Sequence, residues 1–162
     1  MASRRGCLEK RVVSYQIRLA TSADHATIAF LLTHCGMVAP VFDAPSFWYV
    51  AVDESDAIHG VIGAEFGIRD WLLRSALVCE PFRGLGVGRM LVAQILHAAL
   101  VHRIDAVYCF STDAQEYWAH MGFVEVPVST VLERLPQVPQ VLQFADLGWL
   151  PTEVAWRYDI QS

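Results

Sequence analysis

Three glycines at alternate positions mark the stretch with the most chemical potential: Arg83-Gly84-Leu85-Gly86-Val87-Gly88, followed by Arg89. An apolar run ending at Cys79 precedes it. After it, Leu91, Ile95 and Ala98 recur at helical spacing. A Gly-rich turn that opens a helix presents unpaired backbone N–H groups, and the helix dipole adds positive potential. That combination suits a pyrophosphate. Glycine has no Cβ to block close approach of phosphate oxygens, and Arg83 and Arg89 add charge nearby. A tight strand-to-helix turn alone needs fewer glycines. Two common nucleotide loops fit poorly. A dinucleotide-binding loop asks for GxGxxG after a first strand, and a P-loop ends in GK[ST], whereas Gly88 is followed here by Arg89 and Met90.

The elements that must position this loop can be read from periodicity and turn chemistry. Tyr15 to Leu19 reads as a strand, and Thr21, Ser22 and Asp24 supply cap residues. A helix follows from about Asp24 to Cys35, with Ile28, Leu31 and Leu32 on one face and Gly36 at its end. Residues 37–46, with Pro40 and Pro45, read as an irregular loop or a short helix. Phe47–Val52, Gly60–Phe66 and Trp71–Cys79 form an antiparallel meander, with a turn at Asp53-Glu54-Ser55-Asp56. Gly86 to Arg103 is a long helix and Asp105 to Phe110 a short buried strand. A helix separates that strand from Trp71–Cys79, so the two should be parallel. Asp113 to Met121 is a further helix, stopped by Gly122. Phe123 to Pro127 starts a strand, and Thr152 to Ile160 is the last one. Between these two strands the order leaves room for a helix, and Pro136, Pro139 and Pro151 mark a segment there with no assigned role. The expected class is α/β (α+β), with a mixed, mostly antiparallel central sheet flanked by helices on both faces. Residues 1–13 are expected to be a flexible extension and residues 14–162 one domain.

The chain has 162 residues, 54% hydrophobic and 18% charged, with a net charge of -5. Binding a nucleic-acid backbone needs clustered Lys and Arg. The basic cluster here, Arg4, Arg5, Lys10 and Arg11, lies at the terminus, so no nucleic-acid partner is expected. No membrane span is expected either. The most apolar stretch, Val87 to Val101, is broken by Arg89, Gln94 and His97. Cys7, Cys35, Cys79 and Cys109 are isolated, as reduced thiols of a cytoplasmic protein would be, and Cys79 and Cys109 sit in apolar runs. The six histidines form no HExxH, and no metal site is expected. The apolar composition points to a homodimer.

The segment Arg83 to Gly88 resembles the Arg/Gln-x-x-Gly-x-Gly/Ala signature of the GNAT superfamily of acetyltransferases. The resemblance extends to the element order from about Tyr15 to Tyr158. It implies an acetyl-CoA-dependent N-acetyltransferase in which Arg83, Gly84, Leu85, Gly86, Val87, Gly88 and Arg89 hold the cofactor. It also implies that backbone near Leu77 and Val78 carries the thioester arm, with one N–H facing the developing oxyanion. Tyr117-Trp118-Ala119-His120-Met121-Gly122-Phe123 looks like the family's aromatic-aromatic-x-x-x-Gly-Phe segment. Many members have Tyr where Trp118 stands, as the acid that protonates the CoA thiolate. Tyr117 is adjacent, but helix neighbours point about 100° apart. Leu72-Leu73-Arg74-Ser75, Ser111-Thr112 and Val126-Pro127 resemble the branch of amino-acid N-acetyltransferases: N-acetylglutamate synthases and the enzymes encoded with arsenic-resistance genes.

The chemistry would then be attack of a small primary amine on acetyl-CoA in a ternary complex. Glu65 is the candidate base, because partial burial raises a carboxylate's pKa; its plainer reading is a solvent-facing strand residue. Ser111 or an ordered water would protonate the thiolate. Arg74 would read a substrate carboxylate through its bidentate fork, or pair with Glu65 or Asp70. Ser75 and Thr112 are polar supports for the acceptor. Phe42, Phe47 and Trp48 either line the acceptor pocket or belong to the core. Two other readings stay open: an acetyltransferase for another amine (aminoglycoside or other drug, polyamine, protein), and a non-catalytic acyl-CoA sensor, which Trp118 favours.

Overall fold

Alternating side chains along seven strands send two sets of apolar residues to opposite faces of one sheet, and helices cover both. The computed structural model describes residues 14–161. In chain order the elements are β1 (Gln16–Leu19), α1 (His25–His34), β2 (Ser46–Val52), β3 (Ile58–Phe66), β4 (Asp70–Val78), α2 (Val87–Val101), β5 (Ala106–Phe110), α3 (Gln115–His120), β6 (Val124–Val126), α4 (Val128–Arg134), α5 (Pro139–Asp146) and β7 (Ala155–Asp159). The sheet order is β1-β2-β3-β4-β5-β7-β6. β4 and β5 pair in parallel across the α2 connection, and the other neighbours are antiparallel. This is the expected mixed, mostly antiparallel sheet. None of the described helices is long and apolar enough to cross a membrane. The expected extension at 1–13 lies outside the described residues.

The two faces separate cleanly along β2 and β4. Ala51, Trp71 and Leu73 point to the face covered by α2, where Leu91, Val92 and Ile95 are fully buried against them; Cys109 and Trp118 join the same cluster. Trp48, Val50 and Val52 point to the other face and meet Ile28 and Leu32 of α1. Farther along that face, Leu72, Ala106, Tyr108 and Ala155 are covered by Val131, Leu135, Val138 and Val141. That last cover comes from α4 and α5, and it gives the Pro-rich segment a role, since α5 lies within it. Pro127 stands just before α4, and Pro139 sits in the first turn of α5, where its missing N–H costs nothing. Residues 37–46 carry no helix, because Pro40 and Pro45 remove donors and disfavour helical backbone before them.

Gly63 on β3 is held to glycine by packing. A Cβ there would lie 2.5 Å from Cζ3 of the Trp48 ring. Gly63→Ala should therefore lower stability by about 1–3 kcal/mol, measurable by thermal denaturation.

Candidate active site

β4 and β5 pair only from Asp70↔Ala106 to Leu72↔Tyr108, and beyond that point the two strands are no longer joined. The change coincides with an irregularity on the other side of β4. Val61 faces Leu77 and Gly63 faces Arg74, so Ser75 and Ala76 share Ile62 as their partner. This is a β-bulge, which bends the strand that carries it. Ser75 takes a φ of 58°, in the left-handed region, at a cost of about 1–2 kcal/mol for a residue with a side chain. Between the separated strands lies a cavity of about 680 Å³. Leu73 to Val78 form one wall, Cys109 to Ala114 the other, and Gln140, Phe144 and Trp149 close one end.

A second cavity, of about 280 Å³, lies at the glycine loop and is lined by Phe82, Arg83, Gly84, Gly86, Val87 and Arg89. Gly84 and Gly86 have φ of 77° and 80°, which only glycine adopts readily. Gly86 caps α2, so the first amides of a 15-residue helix open toward this space. Arg83 Nε donates to the Val78 carbonyl at 2.8 Å and pins the loop to the end of β4. Leu85 is exposed and does not line the cavity. Val78, Gly88 and Tyr117 border both cavities, which makes them one groove.

Arg74 lines the larger cavity with most of its N–H groups already engaged. Nη1 donates to Glu65 Oε2 at 2.9 Å and to Gln143 Oε1 at 2.9 Å. Nε reaches Ser75 Oγ at 3.0 Å and Nη2 reaches the Val38 carbonyl at 3.1 Å. Its carbon Cζ lies 5.9 Å from the centre of the Trp48 ring. Glu65 is 1% exposed, and its second oxygen accepts the Gln140 backbone N–H at 2.8 Å. It does not line the cavity. The sequence reading of Glu65 as a base is therefore corrected to that of a buried anion, which holds Arg74 and caps α5. The pairing of Arg74 with Glu65, rather than with Asp70, is the arrangement found. Phe42, Phe47 and Trp48 lie in the core and not on the cavity wall.

A family model described as an acetyltransferase (GNAT) domain matches residues 44–125, about half of the chain. The chain belongs to the GNAT acetyltransferase family. It is an acetyl-CoA-dependent N-acetyltransferase. No curated protein sequence matches it. Among solved structures, a GNAT-family acetyltransferase from Staphylococcus aureus superposes with a TM-score of 0.72 at 13% identity, over 91% of this chain and 100% of that one. N-acetylglutamate synthase from Neisseria gonorrhoeae, complexed with coenzyme A and N-acetyl-glutamate, gives 0.71 at 16%, over 92% of this chain but 36% of that one. Rv2747 from Mycobacterium tuberculosis, in complex with CoA and NLQ, gives 0.68 at 18%, over 90% and 99%. At these identities the likeness shows the fold.

In this GNAT chain the aromatic pair divides its duties. Trp118 is buried against Phe123. Tyr117 borders both cavities, and a Cβ on Gly88 would lie 3.8 Å from its hydroxyl. The 100° offset that counted against Tyr117 in the sequence is what turns it into the groove. Burial pushes its phenol pKa up, with Arg89 opposing, so it stays protonated. Ser111 and Thr112 line the cavity; the Ser111 backbone is tied to Val154 at 2.9 Å and to the Trp156 indole at 3.0 Å. Two carboxylates on the wall, Asp113 and Glu153, escaped the sequence reading, as did Gln140 and Gln143. The available signal was the ends of β5 and β7: once Phe110 faces Ala155, Asp113 and Glu153 must flank one opening.

Proposed function

We propose that this acetyltransferase acts on the primary amine of a small molecule, by direct attack in a ternary complex. The observation that carries the reading is the continuous groove, open at the glycine loop and ending in a chamber of small-molecule size between β4 and β5. In this reading Arg83 to Arg89 and the first amides of α2 hold the pyrophosphate. Backbone at Leu77 and Val78 runs beside the thioester arm. Tyr117 protonates the departing thiolate, and Ser111, which lines the same cavity, is a polar support. A donor in the groove favours turnover over sensing. Tyr117→Phe should lower kcat on the order of 10- to 100-fold and leave the KM for acetyl-CoA nearly unchanged. The loss sits at the low end of acid catalysis because a thiolate is a tolerable leaving group.

The finer reading of the acceptor is an amino acid. The N-acetyl-glutamate bound to the synthase of like fold supports it. Arg74 can read a carboxylate only by releasing a neutral partner, Gln143, since Glu65 occupies the other side of its fork. The carboxylates Asp113 and Glu153 favour the second reading, a cationic amine without a carboxylate. Thiol release from acetyl-CoA separates the two when each amino acid is run beside its decarboxylated amine. An active amino acid with a silent amine supports the first reading, and the reverse supports the second.

A further inference from the structure

We propose that Glu153 is the catalytic base that takes the proton from the acceptor's ammonium group, an inference that rests on the small-amine reading above. Glu153 stands just before β7, half-buried on the wall of the larger cavity. The Ser111 N–H donates to the neighbouring Val154 carbonyl at 2.9 Å, which fixes the Glu153 backbone against the end of β5. Across that junction Asp113 lines the same wall. Among the described residues neither carboxylate has an ion-pair partner, whereas Glu65 has both oxygens filled and no access to the cavity. The other charged residue on the wall, Arg74, is neutralised by Glu65.

Two anions facing one chamber draw in a cation, and the more buried of them is the better proton acceptor. Burial raises the Glu153 pKa, and Asp113 raises it further. A carboxylate moved toward neutrality is better matched to accept a proton at working pH. The step balances as follows. The ammonium gives one proton to Glu153, and its freed lone pair forms the C–N bond to the acetyl carbon. The C–S bond breaks with its electron pair on sulfur, which takes a proton from Tyr117. The second amine proton restores Tyr117, and Glu153 returns its proton to water.

Two small probes separate this role from a structural one. Propylamine is an ammonium ion at neutral pH and needs a base, whereas hydroxylamine is already uncharged. Acetyl-CoA consumption is followed with each, above the uncatalysed rate. Glu153→Gln should lower the ratio of propylamine to hydroxylamine turnover about 100-fold, the low end of base catalysis. An unchanged ratio, whether both rates fall together or neither falls, would overturn the assignment. Native enzyme that uses hydroxylamine but never propylamine also overturns it and leaves the transferase reading standing. Native enzyme that uses neither probe overturns the small-amine reading itself.

Discussion

Arg74→Ala is expected to lower the melting temperature by roughly 10 °C before any question of catalysis arises. Arg74 and Glu65 are each about 1% exposed at the side chain and lie 2.9 Å apart. Removing one partner of a buried ion pair leaves the other as an uncompensated charge, which costs about 3–5 kcal/mol. For a chain of this size, each kcal/mol moves the melting temperature by about 2–4 °C. The pair is also a joint between four segments. Through Arg74 it reaches the Val38 carbonyl and Gln143, and through Glu65 it satisfies the Gln140 amide in the first turn of α5. Gln143 in turn donates to the Ala39 carbonyl at 3.0 Å. Replacing both ionic residues, Glu65→Leu with Arg74→Leu, should cost less than the sum of the two single changes, because no lone buried charge remains. Calorimetric melting of the four proteins checks this. If Arg74→Ala melts within about 2 °C of the native protein yet loses thiol release, Arg74 contacts the acceptor instead of holding the fold.

This joint explains why the sequence exposed one half of the site and hid the other. The cofactor half is written in consecutive residues. Arg83 to Gly88 carry their own backbone requirement, and the two left-handed glycines stand where the spacing put them. The meander, the α2 crossover and the parallel β4–β5 pair follow from periodicity and from chirality rules that act locally. The acceptor half is built from residues 65, 74, 113, 140, 143 and 153, which meet only through sheet register and the docking of α5 on the sheet. Glu65 stands out as a partly buried carboxylate and Arg74 as a fork for one, but residue type alone does not say whether a charge faces a cavity or another charge. Register decides it: Gly63 faces Arg74, which sets Glu65 diagonally beside Arg74 on one face of the sheet. Helices α4 and α5 are legible only as room for one helix before the last strand. The prolines of that segment have no role assigned from sequence, although Pro139 stands in the first turn of α5, where Pro is a start signal. Their apolar residues, Val131, Leu135, Val138 and Val141, keep helical spacing through the break between them.

Gly88→Leu should abolish saturable acetyl-CoA binding while leaving the fold intact. Gly84 and Gly86 cannot supply so clean a test. A Cβ at either meets nothing within 4 Å, but both have positive φ, so substitution strains the loop by about 1–2 kcal/mol and mixes backbone cost with lost contact. Gly88 differs. It lies in the first turn of α2 with no left-handed φ, and a Cβ there would sit 3.6 Å from Val78 Cγ2 and 3.8 Å from the Tyr117 hydroxyl, both ordinary contacts. Alanine therefore fits, and in a helix it is favoured over glycine by about 1 kcal/mol. A leucine side chain extends past those contacts into the neck where the two cavities meet, since Val78, Gly88 and Tyr117 border both. A ligand that must thread the neck is then excluded by volume. Calorimetry should show acetyl-CoA affinity falling at least 100-fold in Gly88→Leu, about 2.7 kcal/mol, with melting temperature within a few degrees of native. Gly88→Ala should bind within about tenfold of native. Retained binding in Gly88→Leu would mean that the thioester arm does not pass between Val78 and Tyr117, and it would remove Tyr117 from the leaving thiolate.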